Sequence, residues 1–426
     1  MDPGAHLNLN LNLDLNLNFN HQHRHHHQLS MASSAWKASV SAVDRYDTIS
    51  KIMESLPSRD MNEAIAIEQA AYDNSSSLEE YTAACQPSKP QIPPPSSSPL
   101  SAPSPQPPSP TASSSAGIRI GSYTNCTPVS EGVTSEVFRS GTTALKVIVH
   151  STPEPHNPLR EVKILQTLHP PCIPLLDSFR DHEQRLVLAF PYMPLTLADV
   201  LDRSSSSSRS SSNTSSSALD LDLVRSLFRD ILQALREIHG QGIVHRDIKP
   251  SAILLASPSG PAYLSDFGTA WHPTLSAASE PRDNKILDIG TGPYRAPEVL
   301  FGDKSYGPPV DMWALGAVLA ECIRSPPAPL FESRPAHEDG NQLGLILSIF
   351  KTLGTPTPET WPEAKGFKVT PFELWTVFPQ RSWEEILPDV DEGFREVVGR
   401  LVRYDGSRAT AEEALTYKCF TTNDTA

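Results

Sequence analysis

The 426-residue chain carries 49 acidic against 35 basic side chains, a formal net charge of −14. This argues against nucleic acid or an anionic membrane as a partner held by bulk electrostatics. Its 41 prolines and long serine runs mean that much of it never packs, so one large domain is expected.

Five scattered cysteines have no paired metal-ligand spacing, which suits a reducing compartment and supports neither structural zinc nor a disulfide framework. No apolar run reaches the roughly 18 residues of a membrane span, and the start lacks a compact signal core. A soluble protein of nucleus and cytoplasm is expected.

Residues 1–37 form a low-complexity tail expected to be disordered: Leu and Asn alternate over 7–20 with no turn or pairing partner, followed by HQHRHHHQ at 21–28. Without fixed geometry, those histidines are expected to be solvated rather than to hold a metal. Residues 38–84 change character. Val43, Tyr46, Ile49, Ile52 and Met53 lie at helical spacing, as do Ile65, Ile67, Ala70, Ala71 and Tyr72, with a third short stretch around Tyr81. The spacing predicts a small helical interaction segment, and EQAAYDNSSSLEEY faintly resembles the KIX-type interaction module. Residues 85–117 read as a proline- and serine-rich linker that marks a domain boundary.

From residue 118 the pattern turns to short strand runs, IRIGSY, SEVFRS, ALKVIVH and LVLAF, and from about 195 it is mainly helical. A serine tract at 204–217 interrupts it and reads as an exposed loop between two helices. The expected fold class is α+β: a small β-sheet lobe with one helix, then a large helical lobe, spanning 118–420.

Three segments carry chemistry. Lys146 in TTALKVIV lies on the third strand run, HRDIKPSAILL spans 245–255, and Asp266-Phe267-Gly268 follows the apolar run AYLS. With RAPEVL closing the segment after Gly268, this order resembles a protein kinase over roughly 300 residues. GPYRAPEVLFG, SYGPPVDMWALG and IFKTLGTPTPETWP are similar to the cyclin-dependent kinase group.

The resemblance implies a bilobal fold with ATP and Mg2+ in the cleft and protein substrates. Lys146 would neutralise the α and β phosphates and Glu161 in PLREVKIL would steady it; Asp247 would be the catalytic base, Lys249 would stabilise the transferring phosphoryl group, and Asp266 would be the metal ligand. Gly132, Val137, Ala144, Ala189, Tyr192 and Leu254 would complete the nucleotide pocket. Glu298 would pair with Arg408 to brace the helical lobe, and Asp311 would anchor the catalytic-loop backbone.

Several departures narrow the reading. The Asn expected five places after Asp247 is Ala252, whose methyl cannot ligate a hard cation. Ser251 is not expected to replace it, because neighbours in an extended segment point opposite ways. Ser130 and Ser135 stand at glycine positions, leaving Gly132. Pro191 occupies the position where a kinase hinge donates an N–H to adenine; either Tyr192 substitutes, or the Ala189 carbonyl and packing hold the base. The position of the activating threonine is Ile286, so Arg246 must find its counter-charge elsewhere, with Glu280, Asp283 and Asp288 as candidates.

NPLREV keeps Arg160 and Glu161 but not the rest of a cyclin-docking helix. These features resemble the fungal monomeric kinases that activate cyclin-dependent kinases, which implies a monomeric kinase domain with such kinases as substrates. The competing expectation is a pseudokinase that acts as a binding scaffold.

Overall fold

The structure, a computed structural model, describes residues 61–75, 77–85, 117–132, 134–150, 154–210, 219–332, 342–373 and 376–421, with isolated positions between 45 and 52. The tail at 1–37, nearly all of the 85–117 linker, and the serine tract beyond Ser210 lie outside the described residues. The chain divides into two units, Met1–Ser96 and Ser97–Ala426.

In the first unit, helix α1 (Met61–Asn74) is followed by α2 (Leu78–Ala84). The Ser77 hydroxyl caps α2 by accepting the Glu80 N–H at 3.2 Å, one of the orphan donors of a helix start. The buried face of α1 is only partly the expected one: Ala71 and Tyr72 are buried and Ile65 is half-buried. Ile67 is 38% exposed and Ala70 is exposed, while Glu68 and Gln69 are buried beside Ala71 and Tyr72. Glu68 accepts Arg45 Nε and Nη2, both at 2.7 Å, and the Tyr81 hydroxyl at 2.7 Å. The Arg45 guanidinium also lies 3.8 Å from the Tyr72 ring centroid. A fully bonded ion pair can occupy a buried position that periodicity assigns to apolar residues.

The second unit opens with six antiparallel strands: β1 (Ile118–Ile120), β2 (Tyr123–Glu131), β3 (Ser135–Ser140), β4 (Thr143–Ile148), β5 (Asp177–Arg180) and β6 (Leu186–Pro191), in the order β1-β2-β3-β4-β6-β5. Strand alternation places Leu145 and Val147 of β4 in one core with Ile120, Cys126, Val187 and Ala189. Ala144 and Lys146 therefore point to the opposite face. Helix α3 (Pro158–Leu165) interrupts the strands after β4; Asn157 caps it by accepting the Arg160 N–H, and Pro158 sits in its first turn, where its missing N–H is not needed.

The rest is mainly helical. Helix α4 (Leu197–Ser210) continues through the start of the serine tract, so those residues extend a helix where a loop was expected. Helix α5 (Leu221–Gly240) is capped by Asp220 and buries Val224, Leu227, Phe228, Ile231, Leu232, Leu235 and Ile238 at the three-to-four spacing of an amphipathic helix. It leads into a three-stranded sheet of β7 (Leu195–Thr196), β8 (Ile253–Leu255) and β9 (Ala262–Leu264). Helix α6 (Pro309–Ile323) is buried from Val310 to Ile323, and α7 (Gln342–Leu353) and α8 (Glu392–Leu401) follow. Arg408 donates to both Glu298 oxygens at 2.7 and 3.2 Å and to the Pro309 carbonyl at 2.7 Å, bracing the start of α6.

Candidate active site

On β4, Lys146 lies across from Val137 of β3, and Ala144 is two residues before it, so all three share the face turned from the sheet core. Helix α3 brings Glu161 to this face. Lys146 Nζ donates to Glu161 Oε1 at 2.8 Å and Oε2 at 3.1 Å, and to Asp266 Oδ1 at 3.2 Å. Burial opposes the Lys146 charge, but the two carboxylates outweigh it and hold its pKa above the usual value. Burial pushes Glu161 up, against the pull of Lys146. Asp266 is drawn down to about 2, chiefly by Lys146. A lysine held between two carboxylates is a charged, oriented donor for phosphate oxygens.

The β8–β9 hairpin and α6 set the catalytic loop. Asp311 accepts the His245 N–H and the Arg246 N–H, both at 2.8 Å, while its Oδ2 lies 2.9 Å from His239 Nε2. Arg246 has φ +74° and Asp266 φ +64°, left-handed conformations that non-glycine residues adopt at a cost of about 1–3 kcal/mol each. At Arg246 the bonds to Asp311 and to the Thr269 carbonyl, at 2.5 Å, hold that geometry. Next to it, Asp247 Oδ2 accepts from Lys249 Nζ at 2.5 Å and Oδ1 accepts from the Thr291 hydroxyl at 2.6 Å. Lys249 Nζ also reaches Thr291 Oγ1 at 3.2 Å. Thr291 touches both members of this cluster and is a residue that the sequence motifs did not point to.

Arg246 finds its counter-charge in Glu280. Nη1 donates to Oε2 at 2.6 Å and Nη2 to Oε1 at 3.1 Å, with both side chains fully buried. Asp283 is exposed, and Asp288 lies instead 3.5 Å from Arg295. Glu280 was one of three candidates, and the fold of the segment singles it out.

The nucleotide-pocket candidates divide. Gly132 N–H donates to the Ser135 carbonyl at 2.9 Å, closing the β2–β3 connection, with Ser130 in β2 and Ser135 at the start of β3. Leu254 of β8 is half-buried between the buried Ile253 and Leu255. At the end of β6, the Tyr192 N–H is already donated to the Thr142 carbonyl at 2.8 Å, so it is not available as the substitute donor. The Ala189 carbonyl accepts the Leu176 N–H at 2.8 Å and keeps a second lone pair.

For a divalent cation the donors are few. Among the described residues, no group of three or more His, Cys, Asp or Glu could hold a metal ion. Ala252 is 1% exposed and sits in a 3-10 turn, Pro250–Ala252. Strand alternation therefore does not apply to Ser251, which is exposed where Ala252 is buried. Asp266, with its side chain 48% exposed, is the ionised oxygen donor that remains. One carboxylate completed by nucleotide phosphates and water is an ordinary Mg2+ site, so the residues fit one ion bound together with nucleotide.

Comparison with known proteins agrees with this geometry. The family model described as Protein kinase domain matches residues 123–420. Serine/threonine-protein kinase csk1 of Schizosaccharomyces pombe is 37% identical over 295 residues, covering 65% of this chain and 87% of the relative. Cell division control protein 2 homolog 2 of Trypanosoma brucei brucei is 33% identical over 293 residues, covering 66% and 76%. Serine/threonine-protein kinase CAK1 of Saccharomyces cerevisiae is 32% identical over 278 residues, covering 56% and 76%. Among the described residues no helix is long and apolar enough to cross a membrane. With the family model matched across both its sheet and its helical part, the chain belongs to the protein kinase family and carries a serine/threonine kinase domain.

Proposed function

We propose that the chain is a catalytically active, monomeric serine/threonine kinase that transfers the γ-phosphoryl group of ATP to other kinases of the cyclin-dependent group. The observation that carries this reading is the simultaneous assembly of two clusters: Lys146 within 3.2 Å of both Glu161 and Asp266, and Asp247 within 2.6 Å of both Lys249 and Thr291. The first binds phosphate oxygens. The second presents a carboxylate to a substrate hydroxyl.

In the proposed reaction the substrate oxygen attacks the γ-phosphorus as its proton passes to an oxygen of Asp247. The new O–P bond forms as the bond to the ADP oxygen breaks. Lys249 lies beside the incoming oxygen and balances charge on the transferring group, while Lys146 fixes the phosphates that remain with ADP. Mg2+, held by Asp266 and the nucleotide itself, would supply further charge neutralisation. The choice of substrate rests on the similarity to the fungal monomeric kinases that activate cyclin-dependent kinases.

Ala252, a buried methyl at a ligand position, favours a second reading, a kinase-shaped scaffold that binds partners without transfer. One assay separates them: the purified chain, ATP and Mg2+ with a kinase-dead cyclin-dependent kinase as substrate. Phosphate on the activation segment of that substrate is expected. Transfer only to generic substrates would remove the specific assignment, and nucleotide binding without any transfer would leave the scaffold.

A further inference from the structure

We propose that Glu280, together with Glu154, is a permanent counter-charge for the arginines behind the catalytic loop, so that turnover needs no phosphate on the activation segment. The proposal rests on the phosphotransfer reading and concerns how that site is regulated.

The Arg246 guanidinium is fully buried, one residue from Asp247. A buried guanidinium without an anion would be costly enough to open the loop toward water, displacing Asp247 with it. Kinases that are switched by phosphorylation meet this need with a covalent dianion, carrying about −1.5 to −2 charges, on a residue of the same segment.

Here the charge is genetically encoded. Glu280 accepts from both Arg246 terminal nitrogens, and its Oε2 also accepts the Ile286 N–H at 3.1 Å. The residue that replaces the modifiable threonine thus touches the carboxylate through its backbone. Burial works against the Arg246 charge, and Glu280 together with the Tyr306 hydroxyl, which accepts from Nη1 at 3.1 Å, outweighs it.

A second arginine joins the cluster from α3. Arg160 Nη1 lies 3.8 Å from Glu280 Oε1 and donates to Glu154 Oε2 at 2.8 Å, while Nη2 donates to the Pro155 carbonyl at 2.5 Å. Two arginines therefore face two carboxylates. That charge count is what one phosphate dianion would supply to the same pair.

The carboxylate is also held in place without modification. Trp271 Nε1–H donates to the Glu280 carbonyl at 3.0 Å, and the Glu280 N–H donates to the Ser276 carbonyl at 2.7 Å. The Asn157 N–H, at the start of α3, donates to the Gly268 carbonyl at 2.9 Å, tying the helix that carries Glu161 to the segment that follows Asp266. Both clusters of the active site are thus referred to one buried carboxylate by contacts within a single chain. Glu280 is a positioning residue: it touches neither nucleotide nor substrate.

The test uses the full chain, treated with a phosphatase and checked by mass spectrometry for the absence of phosphate between residues 266 and 298. The treated wild type should keep its rate within about twofold; a loss of roughly tenfold or more, regained with an upstream kinase, would overturn the proposal.

Glu280→Gln keeps the shape and removes the charge, and should lower kcat roughly tenfold or more with KM for ATP changed less than about threefold. Glu280→Asp, which keeps the charge, should recover part of that loss. Equal rates for the Gln variant and the wild type would overturn the proposal.

Hydrogen exchange gives a readout that does not depend on turnover. The Ile286 and Arg246 amides should be protected in dephosphorylated wild type and exchange faster in Glu280→Gln, with α6 unchanged. Unaltered protection in the variant overturns the counter-charge even if no substrate is ever phosphorylated. Should the Gln variant not fold, the wild-type phosphatase and exchange measurements still decide.

Discussion

Replacing Lys146 by Met should separate what the phosphate clamp contributes to chemistry from what it contributes to stability. The substitution keeps a long side chain but removes the cation that Glu161 faces at 2.8 and 3.1 Å. Glu161 is 2% exposed, so its carboxylate would be left buried and unpaired. Breaking one half of such a pair destabilises by about 3–5 kcal/mol, or roughly 6–20 °C in melting temperature for a domain of this size.

Burial already raises Glu161 above its ordinary value of 4.5, and without Lys146 it rises further. Between that value and the new folded pKa, the folded state holds a proton that the unfolded state has released. The proton-linked stabilisation is thus full below about pH 4.5 and disappears as pH rises through the shifted value. Lys146→Met should therefore be less impaired in stability at pH 5 than at pH 8.

A second change, Glu161→Leu, removes the orphaned charge and should restore much of the stability without restoring phosphotransfer. In both variants kcat should fall at least about 100-fold, as for removal of one oriented donor from a transition state. Thermal unfolding at the two pH values and a radiolabelled ATP transfer assay provide the measurements. Wild-type turnover in Lys146→Met, or equal melting temperatures for single and double variants, would refute the reasoning.

Ala252→Asn should raise turnover about 10- to 150-fold and lower the magnesium needed for half-maximal rate, since one charge-assisted contact is worth about 1.5–3 kcal/mol. Because the site is buried, the larger side chain should also lower stability by about 1–3 kcal/mol; a magnesium titration showing neither kinetic change would remove the metal-ligand assignment. Thr291→Val keeps the shape but deletes the hydroxyl that donates to Asp247, and should lower kcat roughly tenfold with KM for ATP unchanged; a change confined to KM would contradict the placement. Asp266 lies below its ordinary value of 3.8, at about 2, so its charge stabilises the fold above pH 3.8 and that contribution is lost toward pH 2. Between these values wild type should lose stability more steeply than Asp266→Asn in urea unfolding, with parallel profiles above pH 5.

What the sequence revealed of this site follows from how local each determinant is. Lys146, Asp247 and Asp266 could be singled out only through the short motifs in which the chain resembles protein kinases, and the structure brings Lys146 and Asp266 within 3.2 Å of each other. Glu280 could be read only as one of three acidic residues, because its selection depends on Trp271 and Ser276 fixing its backbone through tertiary contacts. Glu68 could not be read at all: a carboxylate in a helical pattern suggests solvent, whereas here Arg45 and Tyr81, among the described residues, make its burial tolerable. The orientation of Ser251 could not be read from strand alternation, because it lies in a 3-10 turn. The start of the serine tract is helical because α4 is already nucleated by the residues before it, and extending a helix is easier than starting one.

The replaced residues and the retained ones differ in the kind of loss they can cause. Phosphoryl transfer places charge on the equatorial oxygens and requires little covalent assistance, so catalysis is mostly alignment and electrostatics. In the proposed reaction a metal ligand such as the missing Asn would add one favourable contribution to those of Lys146, Lys249 and Asp266, so its replacement by Ala252 would scale the rate and leave the geometry in place. On the proposal above, Arg246 and Glu280 would act differently, because the position of Asp247 would depend on them. Their removal would misplace the proton acceptor while the remaining groups stayed correctly charged, and effects of that kind do not add. With Ala252 at the ligand position and the Arg246–Glu280 pair at 0% exposure, the proposed kinase would have weakened the graded contribution and retained the conditional one.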